Sequence, residues 1–134
     1  MDKSLYLEKN ISQQPAIDLL RSMGYTYISS EDCEAQRGSR YHVLLKDILR
    51  GQLRRLNRYA FAGAENEFSA GNIERAMEDL DEPLTDGLVR SGEKIYDALL
   101  LGKSYPETVG EGKTLSFNLK YIDWEHSENN LFHV

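Results

Sequence analysis

Apolar residues recur at the three- and four-residue spacing of an α-helix in four stretches of the chain. The first stretch contains Ile17, Leu20 and Met23, and Gly24 follows it as a helix stop. The second stretch is strongly basic and the third is acidic. The pattern predicts helices over residues 12–23, 41–58, 70–81 and 85–101.

The second predicted helix carries apolar and basic residues on different faces. Lys46, Arg50, Arg54 and Arg58 follow one another at four-residue steps, so they should form one row along the helix. A row of cations is expected to face solvent. The apolar stripe on another face comprises Leu45, Ile48, Leu49, Gln52, Leu53 and Leu56.

Shorter stretches have the features of β-strands and loops. Residues 25–28 combine aromatic and β-branched side chains, and the polar residues 29–39 after them are predicted to form a loop. A second loop is predicted over residues 63–71. From Leu115 onward, apolar and polar residues alternate with the two-residue period of a half-buried strand. Strands are therefore predicted over residues 25–28, 115–122 and 130–134, with a turn at Asn129 and Asn130.

Four helices with few strands predict a domain of the α/β class. Within residues 1–134 alone, the arrangement is expected to be α+β. A two-stranded sheet is seldom stable by itself. We therefore expect residues 1–134 to be one partial domain, whose sheet is completed by strands that follow Val134.

The composition is that of an ordinary soluble protein. Of its 134 residues, 40% are hydrophobic, 28% are charged and only three are proline, which excludes a disordered tail. The N-terminus lacks the pattern of a secretory signal, and no apolar run is long enough to span a membrane. We expect a cytoplasmic protein without a membrane partner. The single cysteine, Cys33, has no partner for an internal disulfide.

The net charge of −6 hides an uneven distribution. Residues 37–58 contain seven basic side chains and one acid, Asp47, so this stretch carries +6 and the remainder carries −12. Clustered Arg and Lys side chains neutralise phosphates and release their counterions. Docking of this helix face on acidic parts of the same protein would explain the cluster equally well. The predicted DNA-binding residues are Arg37, Arg40, Lys46, Arg50, Arg54 and Arg58.

Two short motifs have the residue types of ligand sites. Residues 112–114, Gly-Lys-Thr, match the end of a phosphate-binding loop, but the first glycine, the leading strand and the following helix are missing. Asp123 and Glu125 could share a divalent metal ion, with His126 or His133 nearby, but the spacing fixes no third carboxylate. The simpler interpretation is a polar turn with Trp124 packed on the core. We therefore predict no catalytic, metal-binding or cofactor-binding residue in this chain.

Four blocks of the chain occur in an order and at a spacing that point to one protein family. These blocks are Leu20 to Tyr25, Arg40 to Leu45, the helix pair of 72–80 and 84–102, and Tyr121 to Phe132. The last block is the most specific, because it combines an Ile-Asp-Trp element with a pair of asparagines. With these blocks the chain resembles the N-terminal region of the R subunit of type I restriction-modification enzymes, the motor and nuclease subunit, over nearly its whole length.

The resemblance implies the opening, largely helical part of a PD-(D/E)xK-like nuclease domain, with only the first strands of its sheet. It implies that the whole subunit uses magnesium to cut DNA and ATP to translocate it, together with methylation and specificity subunits. The metal-binding Asp, the Glu-x-Lys strand and the ATPase motifs of the family would follow Val134. The chain alone is therefore expected to lack catalysis.

One position departs from the family's pattern. The family often places an acid on its first helix, and an ungapped count back from Gly24 and Tyr25 puts that position at Gln13. Glu8 lies too far upstream to substitute simply.

Two other classes of function are compatible with the sequence. The chain would be a small protein-interaction module without DNA binding if its acidic helices dock on a partner. It would be a self-contained nuclease if Asp123 and Glu125 share a metal with a distant acid.

Overall fold

A computed structural model describes residues 9–38, 42–81 and 87–134. The described helices are α1 (Gln14–Ser22), α2 (Ser30–Arg37), α3 (Lys46–Leu56), α4 (Ala70–Leu80) and α5 (Leu88–Leu101). The strands are β1 (Arg58–Phe61), β2 (Ala64–Glu67), β3 (Lys103–Val109) and β4 (Lys113–Leu119). Helices and strands are thus both present, and the expectation of a mixed α/β fragment is confirmed.

The predicted helices are present with changed bounds. Helix α1 follows a π-helical turn over Lys9–Gln13, and α4 lies almost where the prediction of 70–81 put it. Helix α5 begins at Leu88, directly after Gly87, which has φ of +88°. The expected helix end at Pro83 and start at Thr85 fall within residues 82–86, which lie outside the described residues.

Helix α2 lies in the stretch that we predicted to be a loop. The Ser29 hydroxyl accepts a hydrogen bond from the backbone N–H of Asp32 at 3.2 Å, and two acids in the first turn favour the helix N-terminus. Gly38 ends the helix in the left-handed conformation, with φ of +75°. The loop prediction was wrong because α2 buries no residue, so its sequence lacks the apolar period on which the prediction depended.

Helix α3 ends at Leu56, and Arg58 begins a hairpin instead of continuing the helix. Strands β1 and β2 pair antiparallel, with Arg58 opposite Glu67 and Phe61 opposite Ala64. The two residues between the strands, Ala62 and Gly63, both have positive φ, as expected for a tight hairpin turn. The predictions of a helix to residue 58 and a loop over 63–71 were therefore wrong.

The second sheet is a hairpin of β3 and β4. Lys103 pairs with Leu119 and Val109 with Lys113, so the strand predicted over 115–122 is observed at 113–119. Strand β3 was not predicted, although Tyr105, Glu107 and Val109 alternate as its buried positions.

The strands predicted over 25–28 and 130–134 are reduced to one parallel bridge between Thr26 and His133. Thr26 donates its N–H to the carbonyl of Phe132 at 2.8 Å, and Val134 donates to the carbonyl of Thr26 at 2.9 Å. Residues 130–134 thus pair with the segment after α1 and not with β4.

The core lies between α3, α4 and the β3–β4 hairpin. Its buried side chains are Leu53, Phe68, Ile73, Ala76, Met77, Tyr105, Leu119 and Tyr121. The Tyr105 hydroxyl donates to a carboxylate oxygen of Asp79 at 2.5 Å, and that of Tyr121 donates to the carbonyl of Ala76 at 2.7 Å. Burial raises the pKa of both tyrosines, so they stay neutral donors that join the hairpin to α4.

Two polar side chains fix helix ends against the second hairpin. The Asn57 amide donates to the carbonyls of Leu53 and Lys120, and its oxygen accepts the N–H of Lys120 at 2.8 Å. On the other side of the core, the carboxylate of Glu107 accepts the N–H of Ser69 at 2.8 Å at the start of α4. Both side chains are buried, and their hydrogen bonds hold α3 and α4 in place.

Candidate nucleic-acid interface

The basic row is anchored on α3, whose N-terminus is capped by another helix. The side-chain oxygen of Gln36 on α2 accepts the backbone N–H groups of Asp47 at 3.0 Å and Ile48 at 3.2 Å. Leu53 is fully buried on the inner side of α3. Lys46, Arg50 and Arg54 lie one turn apart on another face, and we call these three residues the α3 ridge.

Arg50, in the middle of the ridge, is bound to two acids. Its Nε donates to Glu74 on α4 at 2.5 Å, and one terminal nitrogen donates to Asp47 at 2.9 Å. The hydrogen bond to Glu74 raises the pKa of Arg50 and lowers that of Glu74. The side chains are 35% and 47% exposed, and pairs this exposed contribute at most about 1 kcal/mol of stability.

Helix α4 presents further acids to the ridge. Lys46 lines a small cleft with Glu74, Glu78 and Asp81, and the charges of Arg54 and Lys46 both lower the pKa of Glu74. The N-terminal end of the ridge therefore lies beside the C-terminal end of α4: Lys46 is near Glu78 and Asp81, and Arg50 contacts Glu74. Arg54 lies at the C-terminal end of the ridge, and it is exposed.

The other three predicted cations are not part of the ridge. Arg58 lies on β1 and pairs with Glu67 across the hairpin at 3.3 Å. Arg37 ends α2, is half-buried, and its Nε has no hydrogen-bond partner among the described residues. Arg40 lies outside the described residues. The structure thus gathers three of the six predicted DNA-binding residues on one helix face.

A basic residue outside the prediction reaches the specific block at 121–132. Arg55 donates through a terminal nitrogen to the carbonyl of Asn129, and the Gln52 amide donates to the same oxygen at 2.8 Å. Helix α3 is thereby tied to the segment after β4. Sequence spacing carries no signal for this contact, because the partners are more than 70 residues apart.

Asp123 is the centre of a hydrogen-bonded turn. Its carboxylate accepts the backbone N–H of His126 at 2.9 Å and the Asn129 amide at 3.0 Å, and Lys120 lies 3.4 Å away. The Asn130 side chain closes the turn by bonding both backbone groups of Asp123. The Asn129 and His126 hydrogen bonds, with Lys120, lower the pKa of Asp123 from 3.8 to about 2.

This turn does not fit a magnesium site. Both carboxylate oxygens of Asp123 already accept hydrogen bonds from the protein, and Glu125 is exposed. In the part of the chain that the structure describes, no three metal-ligating side chains come together. Trp124 is 62% exposed and donates its indole N–H to the carbonyl of Leu99 at 3.0 Å. The prediction that Trp124 packs on the core was wrong.

Residues 112–114 do not fit a phosphate-binding loop either. Gly110–Gly112 form a short 3₁₀ turn between the paired strands β3 and β4, and Lys113 is the first residue of β4. A strand therefore follows the lysine, where ATP binding would require a helix N-terminus. Residues 112–114 therefore lack the loop-to-helix geometry of a phosphate-binding loop.

Taken together, these features describe a mixed α/β region with a partly neutralised basic helix face and a rigid polar turn. The family model of the type I restriction enzyme R protein N terminus (HSDR_N) matches residues 5–134. The chain belongs to this family, which makes it the N-terminal part of a type I restriction enzyme R subunit. No curated protein and no solved structure gave a significant match. Among the described helices, none has the length and apolar character needed to cross a membrane.

Proposed function

We propose that this chain forms the helical flank of a PD-(D/E)xK-like nuclease domain in a type I site-specific deoxyribonuclease. In this proposal, the whole subunit cuts DNA with magnesium, translocates it with ATP, and works in the cytoplasm with methylation and specificity subunits. Membership of the R protein family over residues 5–134 supports the assignment.

The chain's own contribution, in this proposal, is contact with the DNA backbone through the α3 ridge. The observation that carries it is the alignment of Lys46, Arg50 and Arg54 on one helix face. Cations in such a row bind phosphates without reading sequence. Arg54 is the strongest single candidate, because it is exposed whereas Lys46 and Arg50 are half-buried.

The test is charge reversal of Arg54, measured as the affinity of the 134-residue chain for a labelled DNA duplex over a range of salt concentrations. We expect Arg54→Glu to weaken binding several-fold and to flatten the slope of log K against log salt by about 0.9 for each lost phosphate contact. Arg90→Glu is the matched control, since Arg90 is an exposed arginine on α5, away from the ridge.

Equal losses in the two variants would contradict a role for the ridge, because they would reflect only the change in net charge. Circular dichroism of both variants checks that the fold is kept. Arg50→Glu is less suitable, since it would place a second carboxylate beside Glu74.

The proposal also states that the chain alone does not cut DNA. Asp123 is the buried acid in the most specific block, and its oxygens are occupied by His126 and Asn129. Incubation of the chain with plasmid DNA and magnesium tests this directly. Metal-dependent nicking that is lost in Asp123→Asn would favour a self-contained nuclease instead.

A protein-interaction module is the second candidate, and α5 provides the observation in its favour. Leu88, Val89, Tyr96 and Leu100 are 75%, 75%, 64% and 46% exposed on this helix. Several exposed apolar residues on one helix are typical of a docking surface. Binding to the other enzyme subunits without DNA, lost in Tyr96→Ala, would favour this function.

A further inference from the structure

An acid of α4 occupies the part of the α3 ridge that DNA would contact. Glu74 receives the Nε hydrogen bond of Arg50 at 2.5 Å, and Lys46 and Arg54 also act on its charge. One carboxylate on α4 therefore pairs with Arg50 and also lies within the electrostatic reach of Lys46 and Arg54. A carboxylate and a phosphate both offer paired anionic oxygens to a guanidinium, so they compete for the same donors.

We propose that Glu74 occupies the position of a DNA phosphate on the α3 ridge and competes with DNA for Arg50. This inference rests on the proposed function, since it assigns a competitor to the same DNA-contact surface. The ligand is the phosphodiester backbone of any duplex, without regard to base sequence.

The geometry of Arg50 shows which donor a phosphate and Glu74 would compete for. Two of the nitrogens in its planar fork are already used, Nε by Glu74 and one terminal nitrogen by Asp47. A phosphate that binds the Nε edge of the fork needs Nε together with the neighbouring terminal nitrogen, and Nε already donates to Glu74. The Glu74 side chain is 47% exposed, so its carboxylate can rotate into solvent when a phosphate replaces it.

Charge along the ridge leads to the same conclusion. Arg50, in the middle of the ridge, pairs with Asp47 on its own helix and with Glu74 on α4, so two carboxylates offset its single positive charge. Neutralising Glu74 would remove one of the two carboxylates that offset the charge of Arg50, so this cation would be available to a phosphate. The number of phosphate contacts, and hence the dependence on salt, should then increase.

The experiment compares Glu74→Gln with the unchanged chain for binding to a labelled random-sequence duplex across a salt series. We expect several-fold tighter binding at low salt and a slope of log K against log salt that is steeper by about 0.9, the value for one added phosphate contact. Glu93→Gln is the matched control, because it removes one exposed acid from α5, where no ridge residue lies.

A double-mutant cycle separates competition from a general effect of charge. In the Arg50→Gln background, Glu74→Gln should give no further gain, because the contested donor has been removed. A gain that persists without Arg50, or an equal gain in Glu93→Gln, would overturn the inference. Thermal unfolding of each variant shows whether the α3–α4 contact also contributes to stability.

Failure of the inference can be told apart from failure of the proposed function. If Arg54→Glu weakens binding but Glu74→Gln leaves it unchanged, the ridge binds DNA and Glu74 is not a competitor. If neither change alters binding, the ridge is not a DNA-contact surface and both proposals fall.

Discussion

At the scale of single residues, the most specific block of the family has a structural role that its composition does not reveal. Asp123, Asn129 and Asn130 form a closed set of hydrogen bonds around one turn. Gln52 and Arg55 then hold that turn against α3 through the Asn129 carbonyl. Asp123, a candidate metal ligand in the sequence, is thus hydrogen-bonded in the fold to the two asparagines that the sequence predicts as a turn.

The Asp123 turn leads to a prediction about pH. The pKa of Asp123 is lowered from 3.8 to about 2, so its charged form stabilises the fold. This contribution should be complete above about pH 4 and lost as the pH falls through 2, because below that pH the carboxyl is protonated in both the folded and the unfolded state. Asp123→Asn should therefore lower the Tm at neutral pH, with a difference from the unchanged chain that shrinks toward pH 2.

Melting curves followed by circular dichroism between pH 2 and 7 measure this difference. Glu125→Gln is the control, because Glu125 is an exposed neighbour on the same turn. A Tm difference that does not change with pH would contradict the assigned role of the carboxylate.

At the scale of secondary-structure elements, the junction between α5 and β3 depends on one glycine. Gly102 has φ of +75°, and a Cβ atom there would collide with the backbone oxygen of Leu119 and lie 2.9 Å from Nδ2 of Asn118. This close approach lets β3 begin beside the end of β4 directly after the helix ends. The glycine that the sequence marks as a helix stop also permits the strand pairing that follows.

Alanine substitutions at two glycines of this region should have opposite effects. Gly102→Ala should lower the free energy of unfolding by roughly 1–3 kcal/mol, because it combines a strained φ with a backbone clash. Gly92→Ala, inside α5 with no atom within 4 Å of the added Cβ, should raise it by up to about 1 kcal/mol. Urea unfolding of both variants tests the pair. A loss in both would show that α5 does not have the described geometry.

At the scale of the whole molecule, the fold is organised by one core that joins elements distant in sequence. Leu53 of α3, Ile73 of α4 and Leu119 of β4 are each at most 1% exposed and belong to the same cluster. Their packing brings the α3 ridge beside the acids of α4. The charge that the ridge presents to a partner is thus a consequence of core packing.

Leu53→Ala tests the position of this core. Removing a fully buried leucine should cost about 2–5 kcal/mol of unfolding free energy, through lost burial and the remaining cavity. Val89→Ala, at a 75% exposed position on α5, should change it by less than about 0.5 kcal/mol. Chemical denaturation gives both values, and a small effect at Leu53 would argue against the packing of α3 described here.

The sequence predicted those features that depend on neighbours within a few residues. Helix α4 shows its apolar period in Ile73, Ala76 and Met77, and the spacing of the α3 ridge follows from helix geometry alone. The mixed fold class and the family were recognisable for the same reason, since both depend on the order of local patterns. Helix α2 and the β1–β2 hairpin also had local signals, a Ser29 cap and a turn at Gly63, but these were weaker than periodicity.

Only the tertiary structure decided which side chains meet. Arg50 and Glu74 are 24 residues apart, and Gln52 and Asn129 are 77 apart, so no spacing rule connects either pair. The pairing of residues 25–28 with 130–134 was decided in the same way. Local periodicity determines which face of an element is apolar or charged, whereas the packing of distant elements determines whether that charge is neutralised. For this protein, the sequence by itself determined that α3 carries a basic ridge, and the packing of α4 against it decided which of those cations remain exposed.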